Sequence, residues 1–248
     1  MDKKQEIQFH TVSQTIILHL LPGALGVGFF FLTGSLLMKI GYPPMMALML
    51  EILFILIPFQ LGYLLYQGWK RNGKLSLKGI VLYREPIPLR LYFILVPLLI
   101  AWSFAVFVVL SPLANYLAQT LSAWFPAWTI PADYLDEMGQ YPESVLLVLF
   151  FVTLILNGIA APVVEELYFR GYLLPRIPST RVWAPLINAS LFSLYHFFLP
   201  WEIVSRIVAC IPTVYVVSWK RNIYIGILEH CLLNILGLLL TVLFIYFA

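Results

Sequence analysis

Residues 144–174 read SVLLVLFFVTLILNGIAAPVVEELYFRGYLL, an apolar run that carries Glu165, Glu166 and Arg170 in its second half. A helix crossing a bilayer needs roughly 20 apolar residues, and this run exceeds that. Each charge held near the centre of such a helix costs about 2.5–3.5 kcal/mol. Three together reach the whole net stability of an ordinary domain, about 5–15 kcal/mol. Charges retained at that cost are normally paired, turned into the bundle interior and functional. The run therefore predicts a membrane-embedded helix with chemistry on one face.

The rest of the chain agrees. Of 248 residues, 61% are hydrophobic and only 11% charged, with a mean hydropathy of +0.90. Soluble domains carry about 25% charged residues, so the composition predicts an all-α, polytopic transmembrane helix bundle with no soluble domain. Residues 1–248 read as a single membrane domain without internal repeats. The polar start, MDKKQEIQFH, precedes an apolar run too long for a cleaved signal peptide, so that run is expected to stay as a span. Cys210 and Cys231 lie in apolar segments without a CxxC pattern and read as small core residues.

Seven spans are expected, at about 13–38, 45–69, 89–113, 144–174, 183–199, 202–219 and 223–247. The fifth and sixth are short, separated by Leu199-Pro200-Trp201, and a re-entrant pair is the alternative. Lys70, Arg71, Lys74, Lys78, Arg84 and Arg90 crowd the second connection, Arg176 and Arg181 the fourth, Lys220 and Arg221 the sixth. Lys3 and Lys4 share that side. The opposite side has Lys39 and a 114–143 loop with Asp133, Asp136, Glu137 and Glu143. The positive-inside rule then predicts a multi-pass cell-membrane protein with its N-terminus cytoplasmic and its C-terminus outside. Trp124, Trp128 and Tyr134 are expected as interfacial anchors.

Glu165 and Glu166 are successive and point about 100° apart on a helix. Glu166 and Arg170, at i and i+4, suit an ion pair on one face, which leaves Glu165 to face a cavity and take a proton from water. His196 closes the fifth segment, and His230 and Asn234 share a face of the seventh. Counted from the basic ends, Glu165, His196 and His230 lie at a common depth of roughly 12–17 Å, at 1.5 Å per residue. Polar groups at one depth on three helices can converge. Blander roles are expected elsewhere: Glu202–Arg206 as a helix-end ion pair, Glu51, Gln60 and His19 as isolated packing or cavity-lining residues, Glu229 on another face, Asn157 and Asn188 as interhelical bridges. HExxH, GxSxG and phosphate-cradling glycine loops are absent from the chain, as is a basic-aromatic groove for nucleic acid.

Taken in order, Glu165-Glu166-xxx-Arg170, Phe192-xxx-His196 and His230-xxx-Asn234 resemble the motifs of the CAAX prenyl protease type II family, also called the Abi or CAAX-protease and bacteriocin-processing (CPBP) family of intramembrane metalloproteases. The string EELYFRGYLL is similar to the family's first motif. The motifs span 165–234, within a catalytic core expected at about 144–248. The resemblance implies an intramembrane endopeptidase: Glu165 activates water with help from His196, His230 and Asn234 stabilise the oxyanion, and Glu166 and Arg170 support them. Glu165, His196 and His230 are also a candidate ligand set for Zn²⁺ or another divalent metal; a metal-free, glutamate-activated water stays open beside it. The implied partners are membrane lipid and a peptide or membrane-protein substrate, prenylated in some relatives, with bacterial relatives associated with peptide processing and bacteriocin immunity. The rival reading is a non-catalytic scaffold or bacteriocin-immunity protein that keeps the buried polar network for specificity.

Overall fold

A computed structural model describes residues 7–129, 138–180 and 182–247; Lys3, Lys4, Asp133, Tyr134, Asp136, Glu137 and Arg181 lie outside them. Seven principal helices follow the expected spans. They are α1 (Val12–Lys39), α2 (Met45–Asn72), α3 (Leu89–Leu121), α4 (Glu143–Arg176), α5 (Trp183–Leu194), α6 (Ile203–Lys220) and α7 (Ile223–Phe247). Six are long and apolar enough to cross a membrane, and α5 is shorter. The protein is thus a multi-pass, all-helical membrane protein, and no strand occurs among the described residues.

Two boundaries differ from expectation. α3 runs on to Leu121 because Pro112 is accommodated inside it. α5 stops at Leu194, and its 12 residues rise only about 18 Å. That is short of the roughly 30 Å of bilayer hydrocarbon, so the chain turns irregular between Tyr195 and Leu199, deep in the bundle.

α2 and α4 are not uniform helices. Wide π-type turns replace the α ladder at Ile52–Leu56, Leu156–Ala160 and Glu166–Leu173. Each ends two residues before a proline: Pro58, Pro162 and Pro175. A proline inside a helix lacks an N–H and presses its ring on the carbonyl four residues back. Widening the preceding turn relieves that clash, with hydrogen bonds running five residues back: Ile57 to Ile52, Ala161 to Leu156 and Leu174 to Phe169. π turns are frequent at functional sites, and the third one carries Glu166 and Arg170.

All even-numbered connections meet at one end of the bundle. His10 N–H donates to Arg176 O at 2.9 Å, Leu82 N–H to Gly171 O at 2.7 Å, and Ile223 N–H to Tyr83 O at 2.8 Å. Arg84 and Asn222 form an isolated bridge, and Arg221 pairs with Glu85 at 2.5 Å. The described members of the basic clusters in the second, fourth and sixth connections therefore share one end of the molecule. At the other end Trp124 is exposed, whereas Trp128 packs against Phe30 and Phe31 of α1, with centroids 5.2 and 6.1 Å away. Trp128 is thus a clasp on α1 rather than a free interfacial anchor.

Inside, Asn188 bridges three helices as expected: Nδ2 lies 3.0 Å from His19 Nε2 on α1 and donates to Phe169 O on α4 at 3.0 Å. His19 Nδ1 in turn donates to Thr15 O at 2.7 Å, so His19 is not isolated. Asn188→Ala would strip two interhelical partners at once. The expected loss is about 1–2 kcal/mol, read as a few degrees of Tm in detergent, with helical circular dichroism unchanged.

Candidate active site

α4, α5 and α7 bring Glu165, Glu166, Arg170, His196, His230 and Asn234 to a single cavity of about 430 Å³, which α1, α2, α3 and α6 complete. Glu165, Glu166 and Arg170 are 4%, 1% and 2% exposed.

Glu166 Oε1 is the hub. It lies 3.4 Å from Arg170 Nη1 and 3.2 Å from His230 Nδ1. Arg170 in turn lays its guanidinium on the Phe192 ring, 3.8 Å from the centroid, so its charge meets both an anion and a π face. Glu166 Oε2 is buried with no hydrogen-bond partner among the described residues. It abuts Gly226, where an added Cβ would stand 2.5 Å from that oxygen. The missing side chain at 226 is what lets α7 close on the carboxylate.

Glu165 faces the cavity but is not free. Tyr195 Oη donates to its Oε1, and its Oε2 lies 3.7 Å from His230 Nε2. His230 therefore stands between two carboxylates, one at each ring nitrogen. A carboxylate can only accept, which favours a proton on both nitrogens. Arg170 and His230 thus face Glu166 and Glu165 within one buried cluster, and such mutual pairing is how ionisable groups are kept in an apolar bundle.

His196 Nδ1 lies 2.9 Å from Phe192 O. A carbonyl accepts only, so Nδ1 carries the hydrogen and Nε2 keeps its lone pair. Asn234 Nδ2 donates to Asn157 O at 2.8 Å, which orients the amide and leaves its second hydrogen available.

Several residues beyond the sequence motifs line the same cavity: Tyr195, Glu51, Arg206 and Glu229. Glu229 Oε1 accepts from Ser103 Oγ of α3 at 3.2 Å, so adjacent residues of α7 both reach the cavity, against the expectation of separate faces. Glu202 and Arg206 do not form the expected closed pair; Glu202 Oε2 and Arg206 Nη1 are each buried without a hydrogen-bond partner. The i, i+4 spacing suggested that pair, but Arg206 turns toward the cavity. Tyr195 had a signal, since it directly precedes His196 at the end of a helix. Glu51 had none beyond being a charge inside a span.

A divalent metal held by protein needs a converging set, three ligands in the usual open zinc site. Among the described residues no group of three His, Cys, Asp or Glu side chains is placed to hold one ion. Glu165 and His230 approach to 3.7 Å, while His196 has its Nδ1 bonded to backbone and its Nε2 open. As arranged, the residues do not fit a three-ligand centre.

Fold and cluster together define a polytopic helical membrane protein with a carboxylate–histidine site sealed inside its bundle. Residues 147–236 match the family model for the type II CAAX prenyl endopeptidase Rce1-like group, a range that contains all three motifs. The UPF0177 protein YxdF of Lactococcus lactis subsp. lactis (strain IL1403) is 27% identical over 126 residues, 50% of this chain and 67% of that protein. No solved structure matches the chain. Residues 147–236 are thus similar to the CAAX prenyl protease type II (Abi, CPBP) family.

Removing one member of the hub should cost far more than removing two. Arg170→Met strands Glu166 beside a half-neutralised cluster and should lower stability by about 3–5 kcal/mol. Arg170→Met with Glu166→Gln should recover a large part of that loss. Thermal unfolding of the single and double variants in detergent measures the coupling, and additive losses would contradict it.

Proposed function

We propose that the chain is an intramembrane endopeptidase that hydrolyses a peptide bond by water activated at Glu165. The observation that carries this reading is Glu165 lining a cavity beside His230 with Tyr195 on its other oxygen. Glu165 accepts a proton from a water in the cavity, and the His196 Nε2 lone pair assists as a second base. The hydroxide adds to the scissile carbonyl. His230 Nε2–H and the second hydrogen of Asn234 donate to the oxygen as it gains charge, the role that oxyanion donors play in acyl transfer. The proton then passes from Glu165 to the leaving amine, the C–N bond breaks, and two new termini form. Glu166 and Arg170 hold His230 in place. No step needs a metal, and cleavage is expected to survive exhaustive chelation; loss of turnover that Zn²⁺ restores would replace this scheme.

The substrate is a peptide or membrane-protein segment able to enter the bundle. Positive-inside asymmetry favours the basic end in the cytoplasm, and a cavity walled largely by apolar side chains suits a chain carrying an apolar lipid group. The alternative of a scaffold or immunity protein draws on the same buried network, whose cost would then serve specificity alone.

Tolerance separates the two. Glu165→Gln is expected to abolish cleavage while the protein stays folded, and Asn234→Ala to slow it about 10²–10³-fold. The test compares peptide termini in membranes of cells expressing wild type or Glu165→Gln at equal levels. Termini present only with wild type support proteolysis; identical termini with both proteins folded and abundant move the reading to the scaffold.

A further inference from the structure

The second large cavity lies at the basic end, has a volume of about 550 Å³, and shares no lining residue with the first. The N-terminal arm, the end of α2, residues 79–82 and the end of α4 enclose it. Lys70, Arg71 and Arg176 line it, and among the described residues its wall contains no carboxylate.

Arg176 is the telling member. It is 7% exposed, and a charge so covered is normally met by an opposite charge. Among the described residues its side chain meets Tyr172 O at 2.7 Å, Ile80 O at 3.2 Å and the face of the Tyr172 ring at 4.0 Å. These are dipoles and a π face; none is an anion. Beside it, His10 Nδ1 is buried with no hydrogen-bond partner among the described residues. Burial first, and Arg176 second, push the His10 imidazole down to about 4. Arg71 is oriented by its bond to Gly79 O at 2.7 Å, and Lys70 stands exposed at the rim. Tyr63 and Gln67 add polar groups between the cations.

The location limits the ligand. The cavity sits where α1 begins and α2 and α4 end, and Tyr66 and Trp69, 53% and 55% exposed, flank it on α2. Exposed aromatics at span ends lie at headgroup level. Basic pockets between span ends are suited to lipid phosphates.

We propose that this cavity binds a phosphate anion, supplied by the headgroup of an anionic phospholipid, with Arg176, Lys70 and Arg71 as its cationic wall. A phosphate there neutralises the buried Arg176, gives His10 an acceptor, and ties the N-terminal arm to α2 and α4. The site is independent of the proteolytic reading.

The experiment uses the full chain in nanodiscs of phosphatidylcholine or of equimolar phosphatidylcholine and phosphatidylglycerol. Native mass spectrometry reads the lipids retained on release. Wild type should retain phosphatidylglycerol over phosphatidylcholine, and Lys70→Gln should reduce that preference roughly fivefold, the worth of one basic residue near a membrane surface. Arg176→Gln should reduce it further. Should that variant not fold, Lys70→Gln and His10→Ala, both at the cavity wall and away from the helix core, carry the test. Glu165→Gln should retain lipid like wild type, which separates this site from the other cavity. A second arm adds sodium phosphate: competition with the lipid assigns the site to free phosphate equally, whereas retention without competition assigns it to the headgroup. Equal retention of both lipids with no effect of phosphate overturns the proposal, and so does a preference that Lys70→Gln and His10→Ala leave intact.

Discussion

One carboxylate governs the interior of this protein. Glu166, 1% exposed, is withdrawn from bulk water, so the fold must bring positive groups to it. Arg170 comes from the next turn of α4, and His230 comes from α7. The first contact is local and cheap in chain entropy. The second spans 64 residues of sequence and fixes how α7 sits on α4. Gly226 completes the arrangement by letting the two backbones close over the carboxylate. With His230 held there, its other nitrogen faces Glu165, so the two neighbouring carboxylates meet opposite sides of one ring.

Much of this was legible in the chain. The spans could be read because apolar runs must be about as long as a bilayer is thick, and the i, i+4 relation of Glu166 and Arg170 is local geometry. Common depth grouped Glu165, His196 and His230, and all three line one cavity. What escaped reading was whatever depends on helix phase. Glu229 and His230 should diverge on an ideal helix, yet a broad cavity admits both. Arg206 should pair with Glu202, yet it lines the cavity instead. The π turns also shift phase, and their mark in the sequence, a proline two residues on, is plain only after the turns are seen.

The two ends of the molecule are built differently. At the basic end backbone hydrogen bonds and an ion pair clip the connections together. At the other end the contact is aromatic, with Trp128 set over α1 at Gly34. Polar clips suit a face bathed by headgroups and water, where hydrogen bonds can be exchanged. Ring packing suits a clasp that must hold without charges, since the acidic residues of that loop have few cations near them in the chain.

The early end of α5 has a consequence for the supply of reactant. A helix that crossed fully would satisfy its own backbone and leave the bundle interior dry. By stopping after about 18 Å, α5 leaves non-helical peptide groups from Tyr195 onward at a depth where lipid can offer them nothing. Such backbone is tolerated only against protein or a water-filled cavity. The break that delivers His196 to the cavity thus also makes that cavity hospitable to solvent. In a hydrolytic protein enclosed by hydrocarbon, the same interruption would serve as the well from which the second substrate is drawn.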